Sequence, residues 1–350
     1  MNECMEIDKP LITIVMAVYE PNMQWLKEQL LSLEAQTYPN LELIIRDDCS
    51  PTVPFEQICE CTATCIRSFP YEISRNERNV GSNQTFEWLT QQARGEYIAY
   101  CDQDDVWLPE KLKILKNEIE QTGALLVCSD MYVIDGKGHQ TADSITKVRR
   151  HHVFLSGTGL ADKLLFRNFV TGCTMLMRTQ EAKSAIPFCP YMVHDHYLAL
   201  YASMHGAVQS IPQPLIRYRI HGGNQTGLLA GVHNKRSYCD VRIKSALNKM
   251  KWLQDNLQMP QEMHKTVEQG IEWLSARQAY FTGKRSEAAV IWKYRKFGIL
   301  PSLFEISAIT AGMGKYLLAG GSLSVVCLLL LLGTRGVLGR KRLSEAEAVR

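Results

Sequence analysis

Two rhythms of apolar residues alternate along the chain. Leu11 to Val18 (LITIVMAV) is a continuous apolar, β-branched run that stops at Tyr19, Glu20, Pro21 and Asn22, the pattern of a strand buried on both faces and followed by a turn. Over Trp25 to Gln36, Trp25, Leu26, Leu30 and Leu33 fall at helical spacing, and Tyr38, Pro39 and Asn40 end the segment. A second strand, Leu41 to Ile45, runs straight into Asp47 and Asp48 and completes a βαβ unit. The theme continues with a strand at Tyr71 to Ser74, a loop from Asn76 to Asn83, a helix from Gln84 to Ala93 and a strand from Tyr97 to Cys101. Strands at Leu125 to Cys128 and Thr174 to Met177, separated by a polar stretch from Asp135 to His152, close the sheet. Such alternation predicts an α/β fold built on a Rossmann-like, mostly parallel sheet. From Val232 to Tyr280 helix formers place Trp252, Leu253, Leu257, Trp273 and Leu274 opposite charged residues, which predicts a helical extension.

In open sheets of this kind ligands bind beyond the carboxyl ends of the strands, and both acidic clusters lie there: Asp47 with Asp48, and Asp102 with Asp104 and Asp105. Asp102 and Asp104 are an i, i+2 pair whose carboxylates project to one side, suited to a hard divalent ion such as Mg²⁺ or Mn²⁺. Mg²⁺ completes its shell with water and substrate phosphates, so the pair points to a diphosphate-bearing substrate. Acidic residues after a strand also form plain turns. A rival enzyme reading takes Asp102 as the nucleophile of a haloacid-dehalogenase-like phosphatase. That chemistry needs a downstream Gly-Asp motif, and the chain contains no Gly-Asp pair.

The ordered set LITIVMAVYEPN, LELIIRDDCSP, RNVGSNQTFEWL and GEYIAYCDQDDVWLPEKL closely resembles the family 2 glycosyltransferases of the GT-A fold, in particular their bacterial rhamnosyltransferase-like branch. The likeness extends over residues 10–226 and takes in Gly172 of a glycine loop, Asp195 at the position of the catalytic acid, and His221 of a C-terminal histidine motif. It implies that Ala17, Tyr19, Glu20 and Asp48 hold the nucleotide base and ribose, where a carboxylate suits the imide N–H of uracil or thymine. It further implies that Asp102 faces the ribose or a metal-bound water, that Asp104 and His221 hold the metal, and that Asp195 is the general base of an inverting transfer. Two nearby residues, His194 and His196, stand ready to share or tune that proton. The implied activity moves a sugar from dTDP-rhamnose or a UDP-hexose to a hydroxyl of a growing, lipid-linked, cell-surface glycan. A binding protein that keeps the fold without turnover is the non-enzymatic alternative.

Composition narrows the picture in three ways. With 350 residues and 46% hydrophobic content the chain can bury a substantial core. Lys plus Arg (39) against Asp plus Glu (36) leaves a net charge of only +3, so no global field argues for a nucleic-acid partner. Eleven cysteines, an odd number, follow a start without a leader pattern, which implies free thiols in a reducing compartment. Finally, Tyr316 to Gly333 is an uncharged stretch near the lower limit of about 17 residues for crossing a bilayer. The expected organisation is a catalytic domain at 10–226, a helical extension at 227–296, a hydrophobic membrane-associated segment at 297–334 and a basic, polar tail at 335–350. The last two would attach the enzyme to the cytoplasmic face of a bacterial membrane.

Overall fold

The computed structural model describes residues 9–149, 152–221, 235–294 and 297. Residues 1–224 and 225–350 form two compact units, taken separately below. In the first, strands β1 (Ile12–Val18), β2 (Leu41–Asp47), β3 (Tyr71–Arg75), β4 (Tyr97–Cys101), β5 (Val106–Trp107), β6 (Leu126–Ile134), β7 (Gln140–Ala142), β8 (Met175–Arg178) and β9 (Val208–Arg219) make one sheet. Helices α1 (Met23–Glu34), α2 (Phe55–Cys65), α3 (Ser82–Gln92), α4 (Lys111–Thr122), α5 (Ile145–Val148), α6 (Ala161–Phe166), α7 (Thr179–Ser184) and α8 (His194–His205) surround it.

The sheet order is β3-β2-β1-β4-β8-β6-β9-β5, with β7 paired to β6. Strands β3, β2, β1 and β4 run parallel, as their apolar runs predict. The expectation of a mostly parallel sheet needs refining beyond β4: β8 is antiparallel to both β4 and β6, β9 is parallel to β6, and β5 is antiparallel to β9. Nor does the sheet close at Met177. The prolines at 212 and 214 disguise β9 in the sequence, and the strand absorbs them where its register against β6 shifts between Ser129–Ile211 and Asp130–Pro214. Strand β6 likewise continues past Cys128, because the polar Asp130 is buried with Oδ1 accepting from the Met131 and Ile145 N–H groups.

Both faces of β1 and β4 are buried, with Ile12, Ile14, Met16, Tyr97 and Ala99 in a core shared with Leu26, Leu30 and Leu33 of α1. The start of α1 is fixed by Asn22, whose Oδ1 accepts from the Gln24 and Trp25 N–H groups. Cys59, Cys61 and Cys65 all fall on α2; their thiols are free, and burial pushes Cys61 up to about 11.

The second unit is helical over its described part. Ser245–Asn256 buries Leu247, Met250 and Leu253, and Gln261–Phe281 buries Met263, Val267, Trp273 and Leu274. The expectation of attachment to a cytoplasmic membrane face is corrected: among the described residues no helix is long and apolar enough to cross a membrane. The longest helix, Gln261–Phe281, is interrupted by Glu262, Lys265, Glu268, Glu272 and Arg277, each costly in hydrocarbon. The hydrophobic segment and tail expected from 297 onward lie outside the described residues, apart from Phe297.

Candidate active site

The carboxyl ends of β1, β2 and β4 meet because their loops clasp one another. At the tip of β1, the Tyr19 N–H donates to Gln103 Oε1 (2.8 Å) and Gln103 Nε2 donates back to the Tyr19 carbonyl (3.0 Å), so the residue between Asp102 and Asp104 continues the sheet with a side-chain amide. The Glu20 N–H donates to Ser50 Oγ (2.8 Å), and the Asp48 N–H donates to the Val18 carbonyl (2.7 Å). Glu20 and Cys49 both adopt positive φ, 45° and 60°, which side-chain-bearing residues reach only under strain; such strain gathers at functional sites.

The predicted nucleotide-contacting residues occupy these loops in unequal states. Ala17 is half-buried near the end of β1 and Tyr19 is exposed. The Glu20 carboxylate accepts from the Thr52 N–H (2.7 Å), the Thr52 hydroxyl and the Val53 N–H, and these bonds hold it below the usual carboxylate range. Asp48 is buried and accepts from Asn76 Nδ2 (2.8 Å), the Val80 N–H (2.9 Å) and the Gly81 N–H (2.8 Å). Its neighbour Asp47 is tied to Ser50 and, at 3.1 Å, to Arg75. Three of the four predicted contacts therefore already take part in loop structure.

The predicted metal residues converge. His221 Nε2 lies 2.7 Å from Asp104 Oδ2, although 117 residues separate them in the chain. Both side chains are partly exposed, at 22% and 19%, so a cation can reach them from solvent. Two adjacent ligands on an octahedral ion stand ~2.9 Å apart, given bonds of 2.0–2.1 Å at right angles. The observed spacing therefore accommodates Mg²⁺ or Mn²⁺ after a slight opening, and of the two donors the carboxylate is the one such hard ions prefer, the imidazole suiting transition metals.

Asp102 sits on the inner side of this pair. Burial, with repulsion from Asp104 and Asp195, pushes it up to about 7. Asp102, Asp105 and Cys173 place ligand atoms within 4.8 Å of one another, but this cluster contains its own cation. The fully buried Lys111 donates to the Cys173 carbonyl at 2.7 Å and lies 2.9 Å from the Trp107 ring centroid. Burial brings Lys111 down to about 7, while Asp105 and Asp102 favour its charged form. Trp107 itself is core, 1% exposed.

Across from Asp102, Asp195 lies in the first turn of α8. Its carboxylate accepts from the Gly172 N–H (3.0 Å) and Asn168 Nδ2 (3.1 Å), and burial raises it to about 6 despite these bonds. Gly172 is required here: a Cβ on it would stand 2.8 Å from His194 Nε2 and 3.5 Å from the Asp195 Cβ. His194 cannot give way, being packed 4.0 Å from Phe86 and 5.3 Å from Tyr100, and burial lowers it to about 3, so it is neutral. His196 points elsewhere, to the Leu164 carbonyl. Both flanking histidines thus have other neighbours, His194 the rings of Phe86 and Tyr100 and His196 the Leu164 carbonyl.

Sequence reasoning overlooked Gln103, Asn168 and Arg219. The first two carry ordinary polar side chains in loops, and Arg219 closes β9, a strand the sequence does not announce.

Comparison with known proteins bears on the family and the fold. The family model described as Glycosyl transferase family 2 matches residues 13–181. An uncharacterized glycosyltransferase of Methanocaldococcus jannaschii is 33% identical over 140 residues, which are 38% of this chain and 46% of that protein. A second, from Haemophilus influenzae, is 24% identical over 228 residues, 62% of this chain and 67% of its own. The chain thus spans about half the length of the archaeal relative. Among solved structures, Staphylococcus aureus TarS 1–349 in complex with UDP-GlcNAc superposes with a TM-score of 0.53 at 17% identity, covering 85% of this chain and 81% of that one. A mannosyltransferase of Pyrobaculum calidifontis in complex with GDP-Man and Mn²⁺ gives 0.53 at 14%, covering 95% and 88%. At these identities the two structures speak for the fold alone.

Proposed function

Through residues 13–181 the chain belongs to glycosyl transferase family 2, and on that premise we propose that it is an inverting, cation-assisted transferase of a sugar from a nucleoside-diphosphate donor to a hydroxyl of a growing glycan. What supports this reading is that Asp102 is repelled both by Asp104, which pairs with His221, and by Asp195, a raised carboxylate held by the Gly172 N–H and Asn168.

Asp195 accepts the proton of the acceptor hydroxyl as its oxygen bonds to the anomeric carbon, while the bond from that carbon to the diphosphate oxygen breaks and the diphosphate departs with the electron pair. One displacement with one base inverts the anomeric centre. Gly172 and Asn168 orient the carboxylate, and burial makes it a stronger base than an exposed aspartate. Asp104 and His221 would hold a divalent ion, which would supply Lewis-acid stabilisation of the charge on the leaving diphosphate. A uracil or thymine base is favoured by Asp48, where three of about four acceptor positions are taken and one is left for an imide N–H. The donor is accordingly a UDP-hexose or dTDP-rhamnose.

The test is release of nucleoside diphosphate from UDP-, dTDP- and GDP-sugars in the presence of Mn²⁺ and an oligosaccharide acceptor. Release with a uridine or thymidine donor that falls by roughly 10²–10⁴ in Asp195→Asn supports the assignment. Release that Asp195→Asn leaves intact overturns it.

A further inference from the structure

The loop bearing Asp104 is braced from behind by an ion pair. Arg219, at the end of β9, is 1% exposed and carries a charge it cannot lose. Its Nε donates to the Asp104 carbonyl (2.7 Å), Nη1 to the Asp135 carbonyl (3.2 Å) and Nη2 to Glu28 Oε2 on α1 (2.7 Å). Its backbone N–H donates to Asp105 Oδ1 at 2.9 Å. The guanidinium lies 5.1 Å from the Trp25 ring centroid, and the imidazole of His221 neighbours the same ring at 4.8 Å.

We propose that the Glu28–Arg219 pair positions the cation site: it fixes the backbone of Asp104 and, through Trp25, the ring of His221, without touching the cation. This rests on reading Asp104 and His221 as the ligands. The physical case is one of competing charges. A permanent guanidinium beside a cation site repels the cation unless a carboxylate neutralises it and turns it away. Glu28 does both. Once its charge is removed, the residues Arg219 already touches still offer the carboxylates of Asp104, Asp105 and Asp135, so the guanidinium competes for the group that holds the ion. Partners lying behind metal ligands characteristically set affinity in this way.

Glu28 is also a practical handle, because its side chain is 37% exposed and lines an open cleft of about 510 Å³ whose walls include Leu31, Trp107 and Arg217. Substituting it leaves the core untouched.

The experiment is an electron paramagnetic resonance titration of the full chain with Mn²⁺ alone, reading the free-ion signal. Four variants accompany the parent: Glu28→Ala, Glu28→Gln, Asp104→Ala, and Glu110→Ala, which removes the exposed pair with Lys113 on α4. The expected result is Mn²⁺ affinity weakened roughly tenfold or more in Glu28→Ala, weakened less in Glu28→Gln, unchanged in Glu110→Ala and lost in Asp104→Ala. Parent-like affinity in both Glu28 variants, with loss in Asp104→Ala, overturns the positioning role while leaving the ligand assignment standing. Retention in Asp104→Ala overturns the ligand assignment and this proposal with it. Should Glu28→Ala fail to fold by circular dichroism, Glu28→Gln decides.

Discussion

Asp195 combines an ionisable group with an environment that penalises its charge, and this fixes how activity responds to pH. Burial raises its carboxyl to about 6, against about 3.9 for an unperturbed aspartate. A base acts only when ionised, so kcat/KM is expected to fall as pH drops through about 6 and to plateau above it; a profile flat down to pH 5 contradicts the assignment. Gly172 supplies the second prediction at this scale. Gly172→Ala drives a methyl against the neutral His194 ring, an overpacking that costs about 1–3 kcal/mol and disturbs the N–H aimed at Asp195. Both the melting temperature and kcat are expected to drop, whereas a fall in neither would show that the ring yields. The family resemblance put Asp104 and His221 at one site, and the structure brings their side chains together; the contact of Gly172 with Asp195 was not legible, because the motifs place the two residues without relating them. What could not be read was the use already made of Glu20 and Asp48, since nothing in a sequence says which backbone N–H groups a carboxylate will meet.

Elements explain which parts of the fold announce themselves. Strands β1, β2 and β4 do so because each is a compact, largely apolar run next to a turn signal, and β3 through the alternation of Tyr71 and Ile73 with polar residues. Strand β9 hides behind two prolines and β6 behind Ser129 and Asp130, so the antiparallel half of the sheet and the origin of Arg219 emerge only in three dimensions. Helix α1 matters most for the site, as it contributes Trp25 beside His221 and Glu28 beside Arg219. Its N-cap is therefore a remote handle on the cation loop. Asn22→Ala removes the acceptor for two N–H groups and is expected to lower stability by about 1 kcal/mol, measured by urea unfolding, with a smaller loss of Mn²⁺ affinity than Glu28→Ala. Unchanged stability would mean that packing of Leu26, Leu30 and Leu33 alone sets the helix start.

At the scale of the whole molecule, the proposed donor is highly charged while the chain is near-neutral, so its affinity would have to come from a local site and not from a general field. The fold provides that site by bringing three parallel strand ends together and returning β9 from the far side of the sheet with His221 just beyond its end. On the proposed reading, recognition of anionic diphosphate would depend on an ion held by Asp104 and His221. Isothermal titration calorimetry with UDP and dTDP, with and without Mn²⁺, on the parent and on Asp104→Ala addresses this dependence most directly. The account predicts that Mn²⁺ strengthens binding of at least one of these nucleotides to the parent and makes no difference to Asp104→Ala; equal strengthening in both proteins would contradict it.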